Sequence, residues 1–149
     1  MSAQLASIDE ALKAMRDGLP VLVLDSEDRE NEGDVVLAAE TATEEWLAWT
    51  VRHTSGYVCA PLPGEVADRL GLPLMVADNR DPLRTAYTVS VDAARGVTTG
   101  ISAADRTRTV RVLADPSADR ARLLRASAQE IAPSRDGVID VVTSRLDLP

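Results

Sequence analysis

Apolar residues recur at two spacings along the chain, and the switches between them mark its elements. In SIDEALKAMRDG, residues 7–18, Ile8, Leu12 and Met15 share one helical face, Ser7 and Glu10 stand at the spacing of a capping box, and Gly18 closes the segment. VLVL at 21–24 and VVLAA at 35–39 read as two buried strands. TEEWLAWTVRH at 43–53 returns to helical spacing through Trp46, Trp49, Thr50 and His53, with Thr43 as its cap and Glu44 and Glu45 at the positive end of the helix dipole. A strand starting at Tyr57 (YVCAPL) and a short helix starting at Glu65 and closing on Gly71 come next. TAYTVSVDA from Thr85 alternates as a half-buried strand does and turns at Gly96. SAADRTRTVRVLAD predicts a helix capped by Ser102, with Asp105 at its third position and Pro116 beyond its end. A further helix is expected over 118–126 and a last strand over 138–142. Helices and strands interleave without repeat, linker or low-complexity tract, which predicts one layered domain over residues 1–149.

Composition narrows this picture. Aromatics make up 3% of the 149 residues and Phe is absent, so the core must be built from Val, Leu, Ile and Ala. A formal net charge of −8 argues against a nucleic-acid backbone as partner, because such binding rests on cationic patches. Cys59 is the only cysteine, which excludes an intramolecular disulfide framework and a cysteine-rich zinc site. With one histidine besides, His53, little is left for transition-metal ligation. No apolar run reaches membrane-spanning length and the first residues lack a secretory pattern, so the expectation is a cytoplasmic protein without a membrane partner.

Candidate chemistry concentrates in two loops. DSEDRENEGD, residues 25–34, holds six acidic residues, one arginine and nothing apolar, between two strands that pin its ends. A charge-rich loop of this kind is most often simply solvated. Crowded carboxylates nevertheless repel one another unless a cation compensates, and a hard divalent ion such as Mg²⁺, which prefers oxygen ligands and retains waters, is the natural one. The same crowding suits one carboxylate to general base work, and Gly33 is available for a turn at positive φ. The second loop, TTGIS, precedes a helix. Backbone N–H groups at a helix start attract anions, and Thr98, Thr99, Ser102 and Arg106 add hydroxyl and cationic donors, although a plain capped helix with a glycine turn explains the same residues. His53, near the end of a predicted helix, reads as structural.

The order of residues distinguishes these readings. EDRENEGD followed by a β-branched strand and AAE resembles the signature loop of the 3,4-dihydroxy-2-butanone 4-phosphate synthases of riboflavin biosynthesis. The resemblance continues through HTSGYVCAPL (53–62), ADRLGLPLMV (67–76), TAYTVSVDA and TTGISAADRTRTVRVLADP (98–116), about three-quarters of the chain in order. It implies an α+β fold, a three-layer αβα sandwich around a mixed sheet, and a homodimer with sites near the interface. It further implies a reaction in which ribulose 5-phosphate is enolised, dehydrated and rearranged with loss of formate, with Mg²⁺ holding substrate oxygens and no organic cofactor. By the same resemblance Arg29 and Glu30 match a substrate-contacting pair, Glu30 also being a metal ligand. Asp34 matches a substrate-contacting acid, and Cys59 a pocket cysteine, although a small buried strand residue explains Cys59 equally well. The catalytic candidates are therefore Glu30, Asp34 and Cys59. The substrate-binding candidates are Arg29, Glu30, Asp34, Thr98, Thr99, Ser102 and Arg106.

The family pattern departs after Pro116. An Arg-Pro-Gly-His element, an Arg-x-Gly-His-Thr-Glu element and a final Glu are expected, whereas this sequence has no histidine after His53. Ala128 or its neighbours stand where the first histidine is expected, and DGVIDV resembles the strand before the second element. Three readings follow: a diverged enzyme applying acid/base or enolisation chemistry, as a lyase, isomerase or cyclase, to a small oxygenated carbonyl compound; an authentic synthase; or a non-catalytic binding or regulatory subunit.

Overall fold

A computed structural model of the chain describes residues 5–26, 28, 31–80, 82–83, 85–125 and 142–146. The first element is α1 (Ile8–Arg16), where the predicted capping box forms in full: the Ser7 amide donates to Glu10 Oε2 at 2.8 Å, and the Glu10 amide donates to Ser7 Oγ at 3.3 Å. Next come β1 (Val21–Leu24) and β2 (Gly33–Val36), an antiparallel hairpin with Val21 opposite Val36 and Leu24 opposite Gly33. Thr43 caps α2 (Glu44–His53) through its side chain, and β3 (Cys59–Pro63) leads directly into α3 (Gly64–Leu70), which ends on Gly71 in the left-handed conformation. After β4 (Val91–Ala93), Ser102 caps α4 (Ala103–Ala114). A 3-10 turn at Arg120–Arg122 then delivers β5 (Leu123–Arg125), and β6 (Val142–Leu146) is the last described element.

Strand pairing is mixed: β1 with β2 and β4 with β5 are antiparallel, while β3 and β6 run parallel. Among the described residues these form three two-stranded ladders. The core lies among α2, β3, α3, β4, α4 and β5, with Leu47, Leu62, Leu70, Val91, Val110, Leu113 and Leu123 at its centre. It is aliphatic, as a chain without Phe requires. Buried hydroxyls knit it together. Thr109 Oγ1 accepts the Ala93 amide at 3.0 Å and donates to the Asp105 carbonyl at 3.0 Å, fastening β4 to α4.

Several sequence expectations shift. VLVL is a strand but not a buried one: Leu22 is 62% exposed, and no residue of α1 or β1 joins the core cluster. The second strand starts at Gly33 rather than Val35, because the Asp25 amide bonds the Glu32 carbonyl at 3.0 Å and draws the ladder toward the loop. Among the described residues of that loop, Asn31 is left-handed, at φ 52°, and Gly33 is not; asparagine tolerates this region better than most residues. In place of one strand over TAYTVSVDA there is an isolated bridge between Thr88 and Leu74, and then β4. The helix expected over 118–126 gives way to the 3-10 turn and β5. The Asp119 carboxylate caps the Ala121 amide at 2.9 Å, and pairing with β4 overrides local helix propensity. Most of the strand expected over 138–142 lies outside the described residues.

Candidate active site

The hairpin displays the acidic loop. Its base is closed by the Asp25–Glu32 backbone bond, and a second bond runs from the Asn31 amide to the Ser26 carbonyl at 3.3 Å. Asp25 Oδ1 accepts the Ser26 amide at 2.8 Å, so one carboxylate serves the turn itself. Asp28, Glu32 and Asp34 are exposed, Asp34 standing opposite Val23 in the ladder. Arg29, Glu30 and Glu27 lie outside the described residues. A Cβ at Gly33 would sit 3.2 Å from Leu24 Cδ2, a tight approach that the end of that side chain can relieve.

Beside the hairpin is a cavity of about 340 Å³. Its wall combines Val35, the residue after Asp34, with Tyr57 and Cys59 at the entry to β3, and with Thr50, Val110 and Leu113 from α2 and α4. Cys59 is exposed rather than a buried filler. Tyr57 meets Tyr87 edge to face at 6.4 Å between ring centroids. Its phenol is pushed up to about 12, first by burial and then by Tyr87 and Cys59, so the cavity rim holds a neutral hydroxyl across the physiological range. Sequence reasoning missed this pair. The partners stand 30 residues apart, so no local pattern announces them.

The second loop is organised around Asp105. Burial raises its carboxyl, but bonds from the Thr98 hydroxyl (2.8 Å), the Thr98 amide (3.2 Å) and the Gly100 amide (3.1 Å), with the Ser102 cap, hold it below the usual carboxylate value. Thr98 and the Gly100 amide are thereby committed to an internal anion, and Ser102 Oγ accepts the Asp105 amide at 3.0 Å. Thr99 is exposed. Gly100, at φ +79°, could not carry a side chain, since a Cβ would lie 2.3 Å from Asp92 Oδ2. Arg106 is 5% exposed and donates from Nη1 to the Gly56 carbonyl at 3.1 Å. Among the described residues, Val35, Tyr57 and Cys59 share one cavity, while Asp34, the residue before Val35 on β2, is exposed and does not line it. Thr98, Thr99 and Ser102 do not line that cavity. His53 meets Trp49 at 4.9 Å between ring centroids, the rings tilted by 39°, at the exposed end of α2.

No three metal-ligating side chains gather among the described residues. The chemistry of the hairpin donors, carboxylates with water access, suits a hard divalent ion that completes its shell with solvent and substrate oxygens. No helix among the described residues is long and apolar enough to cross a membrane.

Fold and site define an α+β protein that carries carboxylates on a pinned hairpin beside a small cavity. Residues 9–136 match the family described as 3,4-dihydroxy-2-butanone 4-phosphate synthase, and the chain belongs to that family. It is 53% identical over 131 residues to the riboflavin biosynthesis protein RibBA of Nocardia farcinica, covering 88% of this chain and 32% of that one. It is 59% identical over 111 residues to RibBA of Rhodococcus jostii, covering 74% and 27%. The chain thus spans between a quarter and a third of the length of these relatives. A solved 3,4-dihydroxy-2-butanone 4-phosphate synthase in complex with two magnesium ions superposes with a TM-score of 0.84 at 43% identity, covering 95% of this chain and 61% of that one. RibBX of A. baumannii, a two-domain synthase, gives 0.80 at 30% identity, covering 94% and 38%. The α+β synthase fold expected from the sequence is therefore the fold of this chain.

Proposed function

We propose that the chain carries out synthase-family chemistry on ribulose 5-phosphate, with Arg29, Glu30 and Asp34 on the hairpin loop as its working half-site. The observation that carries this reading is the intact EDRENEGD loop, in a segment 53% identical to a riboflavin biosynthesis protein and supported on a closed hairpin beside the Cys59 cavity. A changed substrate would be expected to alter this loop first. Arg29 would anchor the substrate as a planar cationic donor. Asp34, exposed on β2, would accept a substrate hydroxyl proton, and Glu30 would take the proton beside the carbonyl as general base. Cys59 and the neutral Tyr57 phenol would line the opposite wall and exclude water. Magnesium, held by Glu30 together with water and substrate oxygens, would supply Lewis-acid polarisation of the ketose carbonyl when bound. Thr98, Thr99, Ser102 and Arg106 belong to this proposal as the second polar loop, in which the Thr98 hydroxyl already donates to Asp105 and Arg106 Nη1 to the Gly56 carbonyl. One domain over residues 1–149, acting in the cytoplasm as a homodimer, completes the reading.

A second reading rests on the departure from the family pattern after Pro116, where Ala128 or its neighbours stand at the place of a family histidine. A positioned acid or base contributes roughly a hundredfold to ten-thousandfold in rate, so full rearrangement with formate loss is the step that suffers most without one. On this reading the loop enolises another small oxygenated carbonyl compound. The test is incubation with ribulose 5-phosphate and Mg²⁺, followed by formate determination. Formate above the uncatalysed level supports the family reaction. Its absence, together with deuterium uptake from D₂O into a different ketose, favours the second reading.

A further inference from the structure

Arg106 is a buried cation with an incomplete set of partners. It sits in the first turns of α4 at 5% exposure, its Nη1 donates to the Gly56 carbonyl at 3.1 Å, and its Nε is buried without a hydrogen-bond partner. The carboxylate next to it in sequence, Asp105, is turned to Thr98 and Gly100. A buried, partly unsatisfied charge calls for a physical explanation. Gly56 supplies it. This residue stands at φ +75° in the turn after α2, and a Cβ on it would lie 3.5 Å from the Val51 carbonyl, so the turn folds back beneath the end of that helix. The guanidinium is thereby tied to the turn that closes α2, on the side of the helix whose dipole favours a cation. The three residues that follow Gly56 are Tyr57, Val58 and Cys59, and all line the cavity together with Val110, one helical turn beyond Arg106.

We infer that Arg106 is a positioning residue, clamping the Gly56 carbonyl across 50 residues of sequence and so setting Tyr57 and Cys59 against the cavity. As a catalytic assignment this rests on the reading of that cavity as part of the synthase site. A substrate contact by Arg106 is disfavoured by its burial and by the commitment of Nη1 to backbone. Arginine suits the task because its planar fork holds one fixed direction, whereas a lysine ammonium rotates freely on a flexible stem.

Cys59 is the only cysteine of the chain, so its alkylation by iodoacetamide reports on this wall and on nothing else. In Arg106→Leu, with folding checked by circular dichroism, alkylation is expected to accelerate about threefold or more as the wall loosens. In the same variant kcat for formate release falls by about tenfold or more with KM within about twofold, the signature of misplacement rather than lost binding. Arg106→Lys falls between the parent and the leucine variant in both readouts, and decides the matter alone, by a raised alkylation rate, if the leucine variant does not fold. Alkylation equal to the parent in both variants overturns the proposal. So does a rise in KM at unchanged kcat, which would make Arg106 a substrate contact. Should the parent release no formate, the functional reading fails, while the alkylation series still decides the role of Arg106.

Discussion

Two polar loops, each next to a strand, are built in opposite ways. The loop before α4 wraps around a buried carboxylate: Asp105 takes three donors from Thr98 and Gly100, its own amide is capped by Ser102, and Gly100 is the only residue type that fits its position. The hairpin loop is fastened at its base by the Asp25–Glu32 bond and otherwise leaves Asp28, Glu32 and Asp34 exposed. One loop has satisfied its charge internally and serves the fold. The other holds Asp28, Glu32 and Asp34 toward solvent, where a cation and a polar substrate can reach them. Similar composition therefore does not mean similar work, and the first question for a charged loop is where its hydrogen bonds go.

Substitutions at the two glycines are expected to separate the loops most clearly. Gly100→Ala forces a left-handed alanine against Asp92 and is expected to cost about 2–4 kcal/mol in urea unfolding. Gly33→Ala meets only the movable end of Leu24 and should cost less than about 1 kcal/mol. Equal losses would mean that the hairpin is as tightly built as the cap. Next in size, Asp105→Asn keeps the shape but loses the charge that three donors address, with an expected loss of about 2–3 kcal/mol. Asp34→Asn on the exposed strand should unfold within about 0.5 kcal/mol of the parent. The smallest effects are in pH. The native carboxyl of Asp105 is depressed, so its contribution is complete above the ordinary carboxylate value and is lost as pH falls through the lower native value. Tyr57 has a native value raised to about 12 against an ordinary value near 10, so stability declines as pH rises from about 10 and levels off beyond about 12. In the Tyr57→Phe variant that alkaline slope should flatten, as read by unfolding midpoints at stepped pH.

Much of the fold was legible locally. Ser7, Thr43 and Ser102 each announce a helix start, and each caps one, because side-chain capping depends on residues three apart. What the sequence hid depends on distant partners. Leu22 and Leu24 look like core residues, yet they face outward because α1 and the hairpin lie outside the central cluster. The segment after Ala118 has helix-forming residues but pairs with β4, a choice made 30 residues away. At the site, the resemblance supplied Arg29, Glu30 and Asp34, and the exposed Cys59 was one of two readings. The Tyr57–Tyr87 contact and the Arg106–Gly56 clamp join segments 30 and 50 residues apart and left no local pattern to read.

The central claim is that the hairpin carboxylates act on ribulose 5-phosphate. It is tested most directly by following deuterium uptake from D₂O into this substrate with Mg²⁺ present, in the parent chain and in Glu30→Gln. The parent is expected to exchange the proton beside the carbonyl, and the variant to do so roughly a hundredfold or more slowly at an unchanged unfolding midpoint. A parent that exchanges nothing, or a variant that matches it, would contradict the account.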